Sequence, residues 1–96
     1  MTIDKDKLKF LEQTTLPRIM VYLLEKNKAS RTDLVHNISG SQGAIYNALP
    51  ILKNMKFIDE KTSDGFPRRK DVWLTDRGKT VAKSLADLIE FLSKNP

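Results

Sequence analysis

The chain has 96 residues, a formal net charge of +5 and a pI near 9.6, with 40% hydrophobic and 30% charged residues. That length allows one small domain with a modest core, and that balance is too apolar for a disordered, highly charged chain. The basic excess favours an anionic partner, nucleic acid or a membrane surface, while the absence of cysteine excludes a disulfide framework, a thiolate metal site and a redox pair.

Residues 1–7 lack the uninterrupted apolar stretch of a signal peptide, and no later run is long enough to span a bilayer. The expectation is a soluble cytoplasmic protein with no membrane partner. Residues 4–13 predict a short helix, with Asp4 and Asp6 where a helix N-terminus favours negative charge and Leu8 and Leu11 three apart. So narrow a stripe should dock on another element or on a partner subunit. At Thr14-Thr15-Leu16-Pro17 the pattern breaks and restarts, with either threonine able to cap and Pro17 tolerated in a first turn. Leu16, Ile19, Met20, Leu23 and Leu24 then recur at helical spacing as a buried face, and Asn27 suits a C-terminal cap.

Ser30 with Asp33 three residues on has the form of a capping box, opening a short helix whose Leu34 and Val35 face the core. Ile38 tucks inward and Gly40 turns the chain. His36, the sole histidine, is expected at the surface, because one imidazole without thiolates makes no metal site. Residues 41–55 predict the next helix, capped by Ser41, with Ile45, Ala48, Leu49 and Leu52 on one side and Gln42, Tyr46 and Asn47 on the other. Pro50 inside it removes a hydrogen bond and predicts a kink over residues 46–50.

Residues 57–61 and 71–75 predict two short strands joined by a loop whose Asp64-Gly65 pair and Pro67 favour turns, a hairpin with a basic tip. Alternation puts Val72 and Leu74 on the core face, Trp73 on the other, and leaves Asp59-Glu60 as a polar edge. After Gly78 a last helix should run to about residue 93, with Val81, Leu85, Leu88 and Leu92 as a seam widened by Ala82, Ala86 and Ile89. A face that broad on so small a domain suggests burial against a second copy; the plainer alternative is that it closes the monomer's own core.

This order of elements, together with SQGAIYNALPILKNMKFI over residues 41–58 and VWLTDRG over residues 72–78, resembles the winged helix-turn-helix of MarR- and PadR-like regulators and of small archaeal winged-helix proteins with a C-terminal dimerisation helix. The resemblance implies an α+β, mostly α fold: residues 1–15 an N-terminal helical extension, 16–78 the winged domain, and 79–96 a dimerisation helix. It implies a homodimeric, double-stranded-DNA-binding transcription regulator, nucleoid-associated, with no cofactor and no enzymatic activity.

On that basis helix 41–55 would enter the major groove, with Gln42 and Asn47 able to pair with adenine edges, and Ser41 and Tyr46 suited to phosphate. Arg31 would touch the backbone, and Arg68, Arg69 and Lys70 of the wing at 62–70 the backbone or minor groove. Leu8, Leu11, Val81, Leu85, Leu88, Ile89 and Leu92 would form the dimer interface. The plainer alternative for the polar positions is a solvated surface. Two other functions remain open: a winged-helix protein-interaction module, and a nucleoid-organising protein of little sequence preference. For an enzyme the chain offers no cysteine, no histidine with an evident acid partner and no phosphate-cradling glycine loop.

Overall fold

A computed structural model describes residues 3–62, 65 and 69–95. A 3-10 turn over Lys5–Leu8 leads into α1 (Lys9–Glu12), then α2 (Thr15–Lys26), β1 (Lys28–Ser30), α3 (Arg31–Asn37), α4 (Gln42–Asn54), β2 (Ile58–Thr62), β3 (Lys70–Leu74) and α5 (Asp76–Lys94). This is the expected winged helix-turn-helix, an α+β fold with α3 and α4 as the helical pair and β2–β3 as the wing. The N-terminal segment starts as expected, with Asp4 accepting from the Asp6 N–H at 3.1 Å. Its docking residue, however, is Phe10, which meets the Phe57 ring edge to face at 5.9 Å, while Leu8 and Leu11 stay exposed. The expected single helix is therefore a 3-10 turn plus one α turn, rotated so that an aromatic ring reaches the core.

In α2 the expected Leu16, Ile19, Met20 and Leu23 are buried, and Leu24 is half-buried against them. No threonine caps it: Thr14 is already helical, and the Leu16 N–H donates to the Gln13 carbonyl at 2.9 Å, so a backbone acceptor stands where a side chain was expected. Asn27 ends the helix at φ +68°, its N–H donating to the Leu23 carbonyl. Sequence periodicity misses the next element. Lys28, Ala29 and Ser30 form a strand antiparallel to β3, so Ser30 both closes a ladder and caps α3. The capping box is complete: Ser30 Oγ accepts from the Asp33 N–H, and Asp33 Oδ2 accepts from the Ser30 N–H, both at 3.1 Å.

Ser41 caps α4 by accepting from the Ala44 N–H at 3.1 Å, and Ile45, Ala48, Leu49 and Leu52 are buried as expected. The helix runs through Pro50 to Asn54, and the proline lies on its exposed side. Past the helix, Lys56 turns the chain at φ +65° and the Phe57 N–H donates to the Leu52 carbonyl at 3.0 Å. Both strands lie one residue from expectation: Thr62 and Lys70 join the ladder, and Phe57 and Thr75 leave it. Their backbones serve the junction instead, with the Thr75 N–H donating to the Phe57 carbonyl at 3.0 Å.

The sheet order is β1-β3-β2, with Val72 opposite Ala29 on one side and Glu60 on the other, and Leu74 opposite Ile58. The apolar members of these rows are buried against the helices, whereas Trp73, between Lys28 and Asp59, lies on the outer face. Thr75 Oγ1 donates to the Lys56 carbonyl at 2.6 Å and accepts from the Gly78 N–H at 3.0 Å, capping α5. A methyl group on Gly78 would overlap the Phe57 carbonyl, so only glycine permits this close approach. Further along, Ala82 is buried, Val81 and Leu85 are half-buried against the core, and α5 packs along α2. Among the described residues no helix is long and apolar enough to cross a membrane.

Candidate nucleic-acid interface

The exposed side of α4 is built by default from its buried side. With Ile45, Ala48, Leu49 and Leu52 held in the core, the 100° step of a helix turns Gln42, Tyr46 and Asn47 outward, and all three are exposed. Ser41 stands at the head of this row with its hydroxyl engaged by Ala44, and unpaired first-turn amides lie beside it. The result is a rigid helix presenting two amides and a phenol.

Next to it lies a charge cluster that sequence reasoning missed. Glu60 was expected on a solvated edge, yet its side chain is only 5% exposed. The Arg31 Nη2 donates to both of its oxygens, at 3.0 and 2.8 Å, and Lys70 Nζ lies 3.6 Å away. The Arg31 guanidinium carbon sits 5.7 Å from the centre of the Tyr46 ring, within cation–π range. Its Nε is buried without a hydrogen-bond partner. The signal was in the strand period: Ile58 and Glu60 share a face, and Ile58 is a core residue. The expected phosphate contacts Arg31 and Lys70 thus converge on one carboxylate.

Arg69, at the foot of the wing, places Nη2 3.7 Å from Asp33 Oδ2. The Ser30 backbone N–H, and then its hydroxyl, hold the Asp33 carboxyl below the usual carboxylate range; partial burial opposes this, and Arg69 and His36 add to it. Both partners are about half exposed, so the pair adds little stability and orients the wing base toward α3. Arg68 lies outside the described residues, as does most of the wing tip. His36 is exposed as expected, and among the described residues no group of three His, Cys, Asp or Glu could hold a metal ion.

The residues expected to join two subunits lie on the N-terminal turns and on α5. Leu8, Leu11, Leu88, Ile89 and Leu92 are exposed; Val81 and Leu85 are half-buried and serve the monomer's own core. Phe91, 61% exposed, lies off the seam read from the heptad spacing. A groove of about 760 Å³ runs between α2 and α5, lined by Leu11, Val21, Tyr22, Leu88, Ile89 and Leu92 among others.

No protein-family model matches the chain, and no curated protein does. Solved structures do share its architecture. A protein described as a MarR-family transcriptional regulator from Porphyromonas gingivalis W83 superposes with a TM-score of 0.82 at 16% identity, covering 100% of this chain and 100% of that one. The transcriptional regulator ytfH from Salmonella typhimurium gives 0.80 at 22% identity, over 95% of this chain and 81% of that one. A transcriptional regulator homologue from Pyrococcus horikoshii OT3 gives 0.70 at 18% identity, over 91% and 84%. At such identities the likeness is one of fold, and the fold is the winged helix found in MarR-type regulators.

Proposed function

We propose that the chain is a homodimeric transcriptional regulator that binds double-stranded DNA, with α4 in the major groove and the wing on the backbone or minor groove. The observation that carries this is the division of α4: one side wholly buried, the other an exposed row of Gln42, Tyr46 and Asn47 on a domain of net charge +5. Gln42 and Asn47 read base edges, because an amide can both donate and accept at adenine. Tyr46 and the amides after Ser41 hold phosphate and set the register; Arg69 and Lys70 flank the wing. A second copy covers the apolar end of α5 together with Leu8 and Leu11, and the resulting two-fold symmetry suits a pseudo-palindromic site. The fold shared with proteins described as transcriptional regulators supports the same function.

Selection from random duplex, then binding over a salt series, tests it. A pseudo-palindrome should be enriched, and Gln42→Ala or Asn47→Ala should each reduce base preference by about 1 to 3 kcal/mol. Tight binding without enrichment would instead support a nucleoid-organising role. No binding to duplex at low salt would reject DNA recognition in favour of a protein-interaction module, a role that the pairing of Arg31 and Lys70 with Glu60 would also fit.

A further inference from the structure

We propose that Glu60 is the positioning residue of this DNA face, and that Arg31 supports the recognition helix instead of contacting phosphate; the inference rests on the DNA-binding function proposed above. A carboxylate that is 5% exposed has surrendered its water, and its attraction for Arg31 is correspondingly little screened. Arg31 spends its Nη2 on both Glu60 oxygens, and its guanidinium lies against the Tyr46 ring. These contacts hold the guanidinium between Glu60 and the Tyr46 ring. Glu60 belongs to β2, Lys70 to β3, Arg31 to α3 and Tyr46 to α4, so one side chain links the wing, the first helix of the pair and the reading helix. Two cations facing one anion leave one net positive charge, enough for one phosphate; with Arg31 the better-bound cation, Lys70, 45% exposed, is the one that meets it.

Removing the Arg31–Glu60 pair together tests this in the full chain. Arg31→Met with Glu60→Leu leaves no unpaired buried charge, a change that folded proteins commonly tolerate. The cluster keeps its single net charge, so the slope of log K against log salt should match the parent. Discrimination between selected and random duplex should fall about tenfold, because Tyr46 loses the support that fixes helix register. A slope shallower by about 0.9 with discrimination intact would overturn the proposal, since Arg31 would then be a phosphate contact itself. Glu60→Gln provides the opposite perturbation: it frees one cation, steepens the slope by about 0.9, and makes affinity fall about threefold further between 50 and 200 mM salt. An unchanged slope in that folded variant would also count against it.

A readout without DNA separates this inference from the function it rests on. In the free protein the Tyr46 ring resonances should shift in both variants if Glu60 positions Arg31 beneath the ring. Shifted resonances with no duplex binding in the parent would reject the DNA function and keep the linkage. Resonances that stay unshifted in the variants while the parent binds selected duplex would reject the linkage and keep the function.

Discussion

The two faces of this domain are finished to different degrees. On the side of α3, α4 and the wing base, the polar groups flanking the exposed Gln42, Tyr46 and Asn47 have partners: Ser41 with Ala44, Arg31 and Lys70 with Glu60, Arg69 near Asp33. On the side of α5 and the N-terminal turns, Leu11, Leu88, Ile89 and Leu92 line an open groove, and Leu8 and Phe91 of the same elements are exposed as well. Polar side chains with fixed partners lose little entropy when they meet a ligand, which suits the first face to the recognition proposed for it. Apolar side chains left in water gain only when something covers them, which suits the second face to the proposed dimer.

The largest expected effect strikes the junction that holds the two faces in one orientation. Gly78→Ala drives a methyl group into the Phe57 carbonyl and should lower stability by about 3 kcal/mol in urea unfolding, with recognition and assembly failing together. Ile89→Glu should separate the faces. The residue is half exposed in the single chain, so thermal melting of the monomer should hardly change, while the dimer dissociation constant in sedimentation rises at least about a hundredfold. An unaltered dimer would place the interface elsewhere.

Smaller changes refine the recognition face alone. Ser30→Ala removes the acceptor for the Asp33 N–H and should cost about 1 kcal/mol of stability without altering sedimentation. The smallest effect is one of pH. The Asp33 carboxyl is held below its ordinary value in the folded chain, so its contribution is complete above the unfolded pKa of about 4 and disappears as pH falls through the folded value. The stability gap between the parent and Asp33→Asn should therefore be constant near neutrality and narrow in acid unfolding below about pH 4.

Much of this organisation is local and therefore legible in residue order. The capping box at Ser30, the Ser41 cap, the Asn27 terminus and the buried face of α4 each arise from residues within a few positions of one another. What escaped was set by contacts distant in sequence. Nothing near Lys28 signals a three-residue strand, because its partner β3 lies more than forty positions away. Phe10 outcompetes Leu8 and Leu11 only because Phe57 offers an edge-to-face partner. The Glu60 side chain is buried because Arg31 enters from α3, 29 positions earlier in the chain. The exposure of Gln42, Tyr46 and Asn47 was legible, but the Arg31–Glu60 pair beside them was not.

The short strand β1 has one more consequence. By pairing with β3 it places that strand in the centre of the sheet, with β2 on its other side. The two outer edges are then a three-residue segment that turns at once into α3 and a strand that carries Asp59 and Lys61 on its exposed positions. Neither makes a good template for an additional strand, since brevity and charge are the usual protections against edge-to-edge aggregation. A basic protein with bare leucines on one helix is thereby kept from sticking through its sheet, which leaves the helical side to the dimer proposed above.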